Sequence, residues 1–410
     1  MSVQITSAPA DAARATEVAV TIVDCDTHPL VLAPQLADYV PEPFRTRHFM
    51  TLLHEFDANA SLYTPPDKTT RSDAIPPGGG IPGGDPDFFT RQVIVEAGAD
   101  YAMLIVLQPK TKFYDPELDT AIFSAHNAWL ADTWLTQHNP HGRFRGSLRV
   151  SAHDPAGAVR EIEKWGGHPY FSQIYLVPED PVPLGHPQFH PLYEAAARHR
   201  LPIAMHVTGR PGMFNLTPAG FGGLHMETFT QWPQYFMTNL TSMVFEGVFE
   251  TYPDLRVIFV EGGFSWAAPL LWRLDRYWRE LGAEVPACRR PPSEYVRDNV
   301  RFTTHPIEEP QDHKDLLRTL DWVRAEDLLL FASDYPHYDY DAPDWVMPRL
   351  GRDKRQQILC GNAIDLYGLP SVRPHDDLDE ARAAFLADPL TATLSRGRPG
   401  HHGYFSAQED

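Results

Sequence analysis

Asp26 and His28 stand two residues apart at the end of an apolar run, Val23-Asp24-Cys25-Asp26-Thr27-His28. On a strand, side chains two apart point the same way, so a carboxylate oxygen and an imidazole nitrogen can be offered to one cation. His206 ends the run Ile203-Ala204-Met205-His206, and Asp334 directly follows Leu328-Leu329-Leu330-Phe331-Ala332-Ser333. Burying an unpaired carboxylate beside so apolar a stretch is expensive. Each residue also has an ordinary reading. Asp-x-His recurs by chance, a strand histidine is commonly a hydrogen-bonded core residue, and Asp334 can cap a helix or turn the chain in Asp334-Tyr335-Pro336-His337. Taken together, two carboxylates and two imidazoles suit one divalent ion per chain. Zinc fits first and manganese or iron(II) next, ahead of magnesium or calcium.

For the four to meet, the chain must carry them to one place. Eight apolar runs of strand length recur: Ala19–Cys25, Tyr101–Leu107, Arg145–Ser151, Gln173–Val177, Pro202–Val207, Arg256–Glu261, Val300–Thr304 and Leu328–Ser333. Their weak polar alternation suits strands buried on both faces of a parallel sheet. Helical patterns lie between them at Pro116–His138, Asp154–Trp165, His190–His199 and Phe264–Leu281. Asp154-Pro155 reads as an N-cap followed by proline at the first helical position. The alternation predicts an α/β fold, a distorted (β/α)8 TIM barrel, whose strand ends share one face. The first, fifth and eighth strands then each present a metal-capable residue there. No Gly-x-Gly-x-x-Gly follows the first strand, which argues against a dinucleotide site. Gln173-Ile174-Tyr175-Leu176-Val177 carries no lysine to bridge two metals, so a single ion is expected.

The barrel is expected over 19–369, with a flexible segment before it at 1–18 and a tail after it at 370–410. Two stretches break the repeat: the glycine- and proline-rich insertion 49–89 after the first strand, and Thr208–Glu227 after the fifth. Insertions at these strand ends border the face where barrel active sites form. The tail reads as a short helix, Leu378–Ala387, followed by a polar end that frays or packs at an oligomer interface. With 35 basic and 54 acidic residues the formal charge is −19, which disfavours a nucleic-acid partner. No apolar run spans a bilayer, no signal-peptide pattern opens the chain, and three scattered cysteines suggest reduced thiols in a cytoplasmic protein.

Read in order, Asp24-Cys25-Asp26-Thr27-His28, Met205-His206, Val260-Glu261-Gly262-Gly263-Phe264-Ser265-Trp266 and Ser333-Asp334-Tyr335-Pro336-His337 resemble the amidohydrolase-related family. That family includes aminocarboxymuconate-semialdehyde decarboxylase and γ-resorcylate decarboxylase. The resemblance runs from about Val20 to Leu369, and Leu359-Cys360-Gly361-Asn362-Ala363 with Leu366-Tyr367-Gly368-Leu369 is similar to the family's closing signature. It implies a mononuclear metalloenzyme, commonly oligomeric (here a homodimer), with Asp26, His28, His206 and Asp334 at the ligand positions. Two departures stand out: the first pair is Asp-x-His rather than His-x-His, and Glu261 occupies the position of a sixth-strand histidine taken to activate water or donate a proton.

Glu261 is therefore expected to do acid–base work, with metal ligation and pairing to an arginine as its alternatives. His337, three residues beyond Asp334, is a second catalytic candidate or else a loop histidine. His225, Phe264, Trp266 and His305 are candidates for contact with a small-molecule substrate, and Arg45, Arg47 or Arg71 for holding its carboxylate. The ordinary readings are loop positions for the histidines and core packing for the aromatics. The function expected is non-oxidative decarboxylation of a small aromatic or unsaturated carboxylate. Hydrolysis of an amide, ester or lactone is the alternative, and a catalytically inactive barrel used for binding is the third reading.

Overall fold

Runs of Val, Ile, Leu and Phe uninterrupted by charge become strands that are buried on both faces. The computed structural model describes residues 17–31, 33–47, 70–107, 115–177, 182–207, 224–344 and 350–389. A short strand β1 (Glu17–Ala19) precedes the barrel. Eight parallel strands follow in chain order: β2 (Val23–Thr27), β3 (Tyr101–Leu104), β4 (Phe144–Val150), β5 (Phe171–Leu176), β6 (Ile203–His206), β7 (Val257–Val260), β8 (Val300–Thr303) and β9 (Leu329–Leu330). All eight expected strands are present. The sheet closes on itself where Cys25 N donates to the Phe331 carbonyl at 2.9 Å and His28 N to that of Tyr335 at 2.8 Å. The fold is a (β/α)8 barrel.

Side-chain alternation divides the core into two layers. Val23, Tyr101, Met103, Ile105, Tyr175, Ala204, Ile258, Val260 and Leu330 pack together inside the barrel. Their strand neighbours, such as Leu104, Ile174, Met205 and Phe259, join the larger cluster between barrel and helices. Helix Pro155–Trp165 begins as its sequence suggests, with the Asp154 carboxylate accepting from Gly157 N at 2.8 Å. The pattern at Pro116–His138 becomes an α-helix, Pro116–Trp129, that continues in π form over Leu130–Gln137. His190–His199 is a helix, as is Ala267–Leu281. A 21-residue helix, His225–Phe245, has no counterpart in the sequence reading because Pro233 lies inside it. No helix among the described residues is long and apolar enough to cross a membrane.

Chain on both sides of the barrel is ordered by pairing. Glu17 and Val18, expected in a flexible segment, belong to β1, which runs antiparallel to β10 (Val372–Pro374). Beyond β10, helix Asp377–Ala387 packs Leu378 against the core and is tied down by ion pairs. Arg373 reaches Asp100 at 2.7 Å and Asp379 at 2.6 Å, and Arg143 reaches Asp379 at 3.0 Å. Of the first insertion, 49–69 lies outside the described residues, whereas 70–89 is stitched to the eighth barrel connection. Thr70 bridges His337, and Arg71 N donates to Pro336 O at 2.9 Å. Gly83, at φ +74, lies so close to His28 that a Cβ there would stand 2.5 Å from the His28 carbonyl oxygen. In the second insertion, 208–223 lies outside the described residues.

Candidate metal centre

The barrel mouth gathers Asp26 from β2 and His28 directly after it, His206 from β6, Glu261 after β7, His305 after β8, and Asp334 and His337 after β9. Local backbone irregularity aims them. The register of β2 against β3 shifts between Asp24 and Thr27, at the strand end that carries the first pair. Glu261 and Asp334 hold left-handed backbone at φ 63 and 61, costing a non-glycine residue about 1–2 kcal/mol each. Hydrogen bonds hold both in place: Glu261 N donates to Thr303 Oγ1 at 3.0 Å, and Asp334 N to the Asp26 carbonyl at 3.1 Å. Such strain concentrates at functional positions.

Three imidazoles are wired alike. His28 Nδ1 donates to the Ile105 carbonyl at 3.0 Å and His206 Nδ1 to the Val207 carbonyl at 2.7 Å. His305 Nδ1 faces the Asp341 carboxylate at 2.9 Å. Each Nδ1 is anchored outward, which fixes the tautomer and turns Nε2 into the cavity, as in metal-ligating histidines. His28 Nε2 lies 3.2 Å from Asp26 Oδ1 and 2.8 Å from Asp334 Oδ1. His206 Nε2 lies 3.6 Å from Asp26 Oδ2 and 3.1 Å from Glu261 Oε2. His337 Nδ1 meets both Asp334 oxygens, at 2.8 and 2.7 Å, and its ring lies 4.9 Å from that of His28.

Both Asp26 oxygens, His206 Nε2 and His305 Nε2 are buried and make no hydrogen bond. Orphaned polar atoms of this kind cost about 1–3 kcal/mol each, more when charged, and a divalent ion satisfies them together. The residues therefore fit a metal. Electrostatics give the same reading. Burial pulls the His28 imidazole down, but Asp26 and Asp334 outweigh it and lift it to about 9, so a proton occupies the cation's place. Burial lifts the Asp334 carboxyl, yet His337, His305 and the hydrogen bond from His28 hold it well below the usual range. Glu261 goes the other way: burial, then the charges of Asp334 and Asp26, push it well above the ordinary carboxyl value, with His305 opposing them.

The ligand atoms fall into three triads whose members lie within 4.8 Å of one another: Asp26–His28–His206, His28–Asp334–His337 and Glu261–His305–Asp334. The four ligands expected from sequence do not form one mutual group; Asp334 joins the first triad through His28. Asp339 and Asp341, absent from the sequence reading, line the far side, with Asp339 Oδ2 3.8 Å from His305 Nε2. Their only advance signal was acid alternation in His337-Tyr338-Asp339-Tyr340-Asp341.

Other candidates lie elsewhere. His225 opens its helix, and its side chain lies outside the described residues. Phe264 and Trp266 pack in the layer between barrel and helices, Trp266 edge-on to Phe259 and Phe302. Arg45 pairs with Glu42 and Arg71 with Asp73, Arg71 also lying over the Tyr340 ring. Arg47 ends a short helix, Phe44–Arg47, that has no buried residue.

Residues 23–369 match the amidohydrolase family model. No curated protein sequence matches the chain. Among solved structures it is similar to 5-carboxyvanillate decarboxylase from Sphingomonas paucimobilis, at 21% identity and TM-score 0.63 over 86% of this chain and 100% of that one. An amidohydrolase from Mycobacterium avium subsp. paratuberculosis aligns at 19% identity and TM-score 0.65, over 85% and 99% of the two chains. Dihydroxybenzoic acid decarboxylase from Polaromonas, bound to manganese and 2-nitroresorcinol, aligns at 18% identity and TM-score 0.58, over 85% and 97%. Likeness at this identity carries the fold, and the match over nearly the whole barrel carries the family. The chain belongs to the amidohydrolase family of enzymes.

Proposed function

We propose that this enzyme is a metal-dependent, non-oxidative decarboxylase of a small aromatic or unsaturated carboxylate. The observation that carries the metal is the set of buried, hydrogen-bond-free ligand atoms on Asp26 and His206, with His28 Nε2 between Asp26 and Asp334. The reaction type is carried over from the two decarboxylases of similar fold. A bound divalent ion supplies Lewis-acid polarisation of the substrate's carboxylate and neighbouring oxygen. A donor set of carboxylates and imidazoles accepts manganese as well as zinc, and the Polaromonas enzyme holds manganese.

In this reading Asp26, His28, His206 and Asp334 hold the ion, and His337 pairs with Asp334. Glu261 is only 6% exposed, and burial with two neighbouring carboxylates raises its carboxyl, which favours the acid form. As the bond from carbon to carboxylate breaks, its electron pair stays on carbon, Glu261 delivers the proton there, and carbon dioxide leaves. The three buried free cysteines support the expected cytoplasmic setting. The exposed Trp272–Trp322 pair, rings 5.6 Å apart, supports the expected homodimer.

The test supplies manganese-loaded enzyme with 5-carboxyvanillate and dihydroxybenzoates in deuterated water. Carbon dioxide matching substrate consumed, with one deuteron on the product carbon, is the expected result. No carbon dioxide from any carboxylate, together with oxygen-18 incorporation from water into amide, ester or lactone products, establishes the hydrolase instead.

A further inference from the structure

We propose that the base of the barrel, opposite the metal centre, binds a small, multiply charged oxyanion through Arg200, Arg256 and Arg301. The proposal is independent of the metal and decarboxylase readings. A cavity of about 590 Å³ lies beside the starts of β6, β7 and β8, lined by these arginines with Asp254, Asp365 and Leu366. That volume suits a small-molecule ligand. Arg256 immediately precedes β7, and Arg301 is the second residue of β8, opposite Ile258. Arg200 ends helix His190–His199 in left-handed backbone, at φ 56.

The way the guanidinium groups are held supplies a second observation. Arg256 Nη1 donates to the carbonyls of Pro253 and Leu255 at 2.9 and 3.1 Å, and Arg301 Nη1 to those of Arg297 and Val300 at 3.2 and 2.7 Å. Anchoring at one nitrogen leaves the edge formed by Nε and Nη2. Arg71 and Arg143 use that same edge to grip the carboxylates of Asp73 and Asp376. At Arg301 the Nε is buried and makes no hydrogen bond, and among the described residues Arg200, Arg256 and Arg301 make no ion pair. Arg145, anchored in the same way on β4, shows the contrast: its guanidinium lies over the Tyr101 and Tyr170 rings, at 4.7 and 5.3 Å, which satisfy a cation through their faces. Burial and then the Arg256 charge pull the Arg301 guanidinium below its ordinary value, opposed by Asp327, Asp298 and Asp365. Asp298 and Asp327 are already engaged by Arg290 and Arg324. Asp254 and Asp365 are exposed and repel an extended polyanion, so the occupant is small. Two free guanidinium forks and a third cation match a phosphate or a dicarboxylate.

The test titrates inorganic phosphate, and separately succinate, into the full-length protein by calorimetry, and follows thermal unfolding with and without each. Wild type is expected to bind one anion per chain with a Kd of about 1 mM or tighter, and to unfold at a higher temperature when it does. Arg256→Ala and Arg301→Ala are each expected to weaken binding about 10–100-fold and to lose the thermal shift. The half-buried Arg256 decides the matter if Arg301→Ala does not fold. His206→Ala, at the opposite end of the barrel, is expected to bind the anion as wild type does. Binding of phosphate alone assigns a phosphoryl ligand and binding of succinate alone a dicarboxylate, and either supports the site. No binding of either anion, or wild-type affinity in Arg256→Ala, overturns it. Binding lost in His206→Ala but kept in Arg256→Ala places the anion at the metal centre and overturns it equally.

Discussion

Replacing Gly83 with alanine tests whether the first insertion positions the metal centre. Gly83 holds φ +74, and an added Cβ would meet the His28 carbonyl oxygen at 2.5 Å, with Pro336 Cγ at 3.4 Å behind it. The left-handed backbone alone costs alanine about 1–2 kcal/mol. Relieving the clash to an ordinary 3.4 Å contact moves Gly83 or His28 by 0.9 Å, beyond the ~0.5 Å tolerance of a preorganised site. His28 is the softer partner to shift at the cost of function, because its Nε2 must stay between Asp26 and Asp334. Gly83→Ala should therefore unfold at lower urea, by about 2 kcal/mol, and bind manganese about 10–100-fold more weakly. Calorimetric titration of metal into folded Gly83→Ala, alongside urea unfolding, separates the two effects. Wild-type metal affinity in a folded variant refutes the coupling between insertion and centre, whatever the stability change.

Further substitutions probe other parts of the structure. His206→Ala and Asp334→Ala should each retain less than about 0.2 manganese per chain after desalting, measured by mass spectrometry; near-unit retention sinks the ligand assignment. Asp379→Asn breaks the clamp to Arg373, at 2.7 and 2.6 Å, while Arg373 keeps Asp100, and should destabilise by about 1.5 kcal/mol at neutral pH. Although burial opposes it, the pairing to Arg373 holds the Asp379 carboxyl far below its ordinary value. Its contribution is thus complete above the unfolded carboxyl range and disappears as pH falls through the folded value; a difference from wild type that persists undiminished in strong acid contradicts this. Trp272→Glu should shift the light-scattering mass from dimer to monomer, and an unchanged mass removes the support of that patch.

Much of this was legible because parallel barrel strands are buried on both faces and read as unbroken apolar runs. Their ends then display whatever polar residues function needs, which is how Asp26, His206 and Asp334 stood out. What stayed hidden depends on where connections travel. Phe264 and Trp266 follow Glu261 closely enough to look like pocket walls. Left-handed turns at Glu261 and Gly263, φ 63 and 66, instead lead the chain away from the axis, and both rings join the outer core. Asp339 and Asp341 look like a solvated loop in sequence. They gain a role because the connection after β8 brings His305 against them, at 3.8 and 2.9 Å, and no local pattern announces that contact. Helix His225–Phe245 was masked by its internal Pro233.

The ligands and the barrel's seam share the same backbone. Asp334 N bonds the Asp26 carbonyl, and His28 N bonds that of Tyr335, so an ion at Asp26 and His28 also clamps the first barrel strand to the last. Removing it with a chelator should lower stability by RT ln(1 + [M]/Kd), about 2.7 kcal/mol when metal stood at 100 times Kd. The loss should depend on pH in a defined direction. Without metal, the His28 proton separates Asp26 from Asp334 and holds the imidazole at about 9, above its ordinary 6.5. A raised histidine contributes stability that is complete below about 6.5 and is lost as pH climbs through about 9. That contribution is on the order of 3 kcal/mol. The loaded enzyme has already given up this proton, so its stability does not follow the same decline. The difference between loaded and metal-free unfolding temperatures should therefore widen between those two pH values. A difference that stays level or narrows would show that His28 does not stand in for the cation.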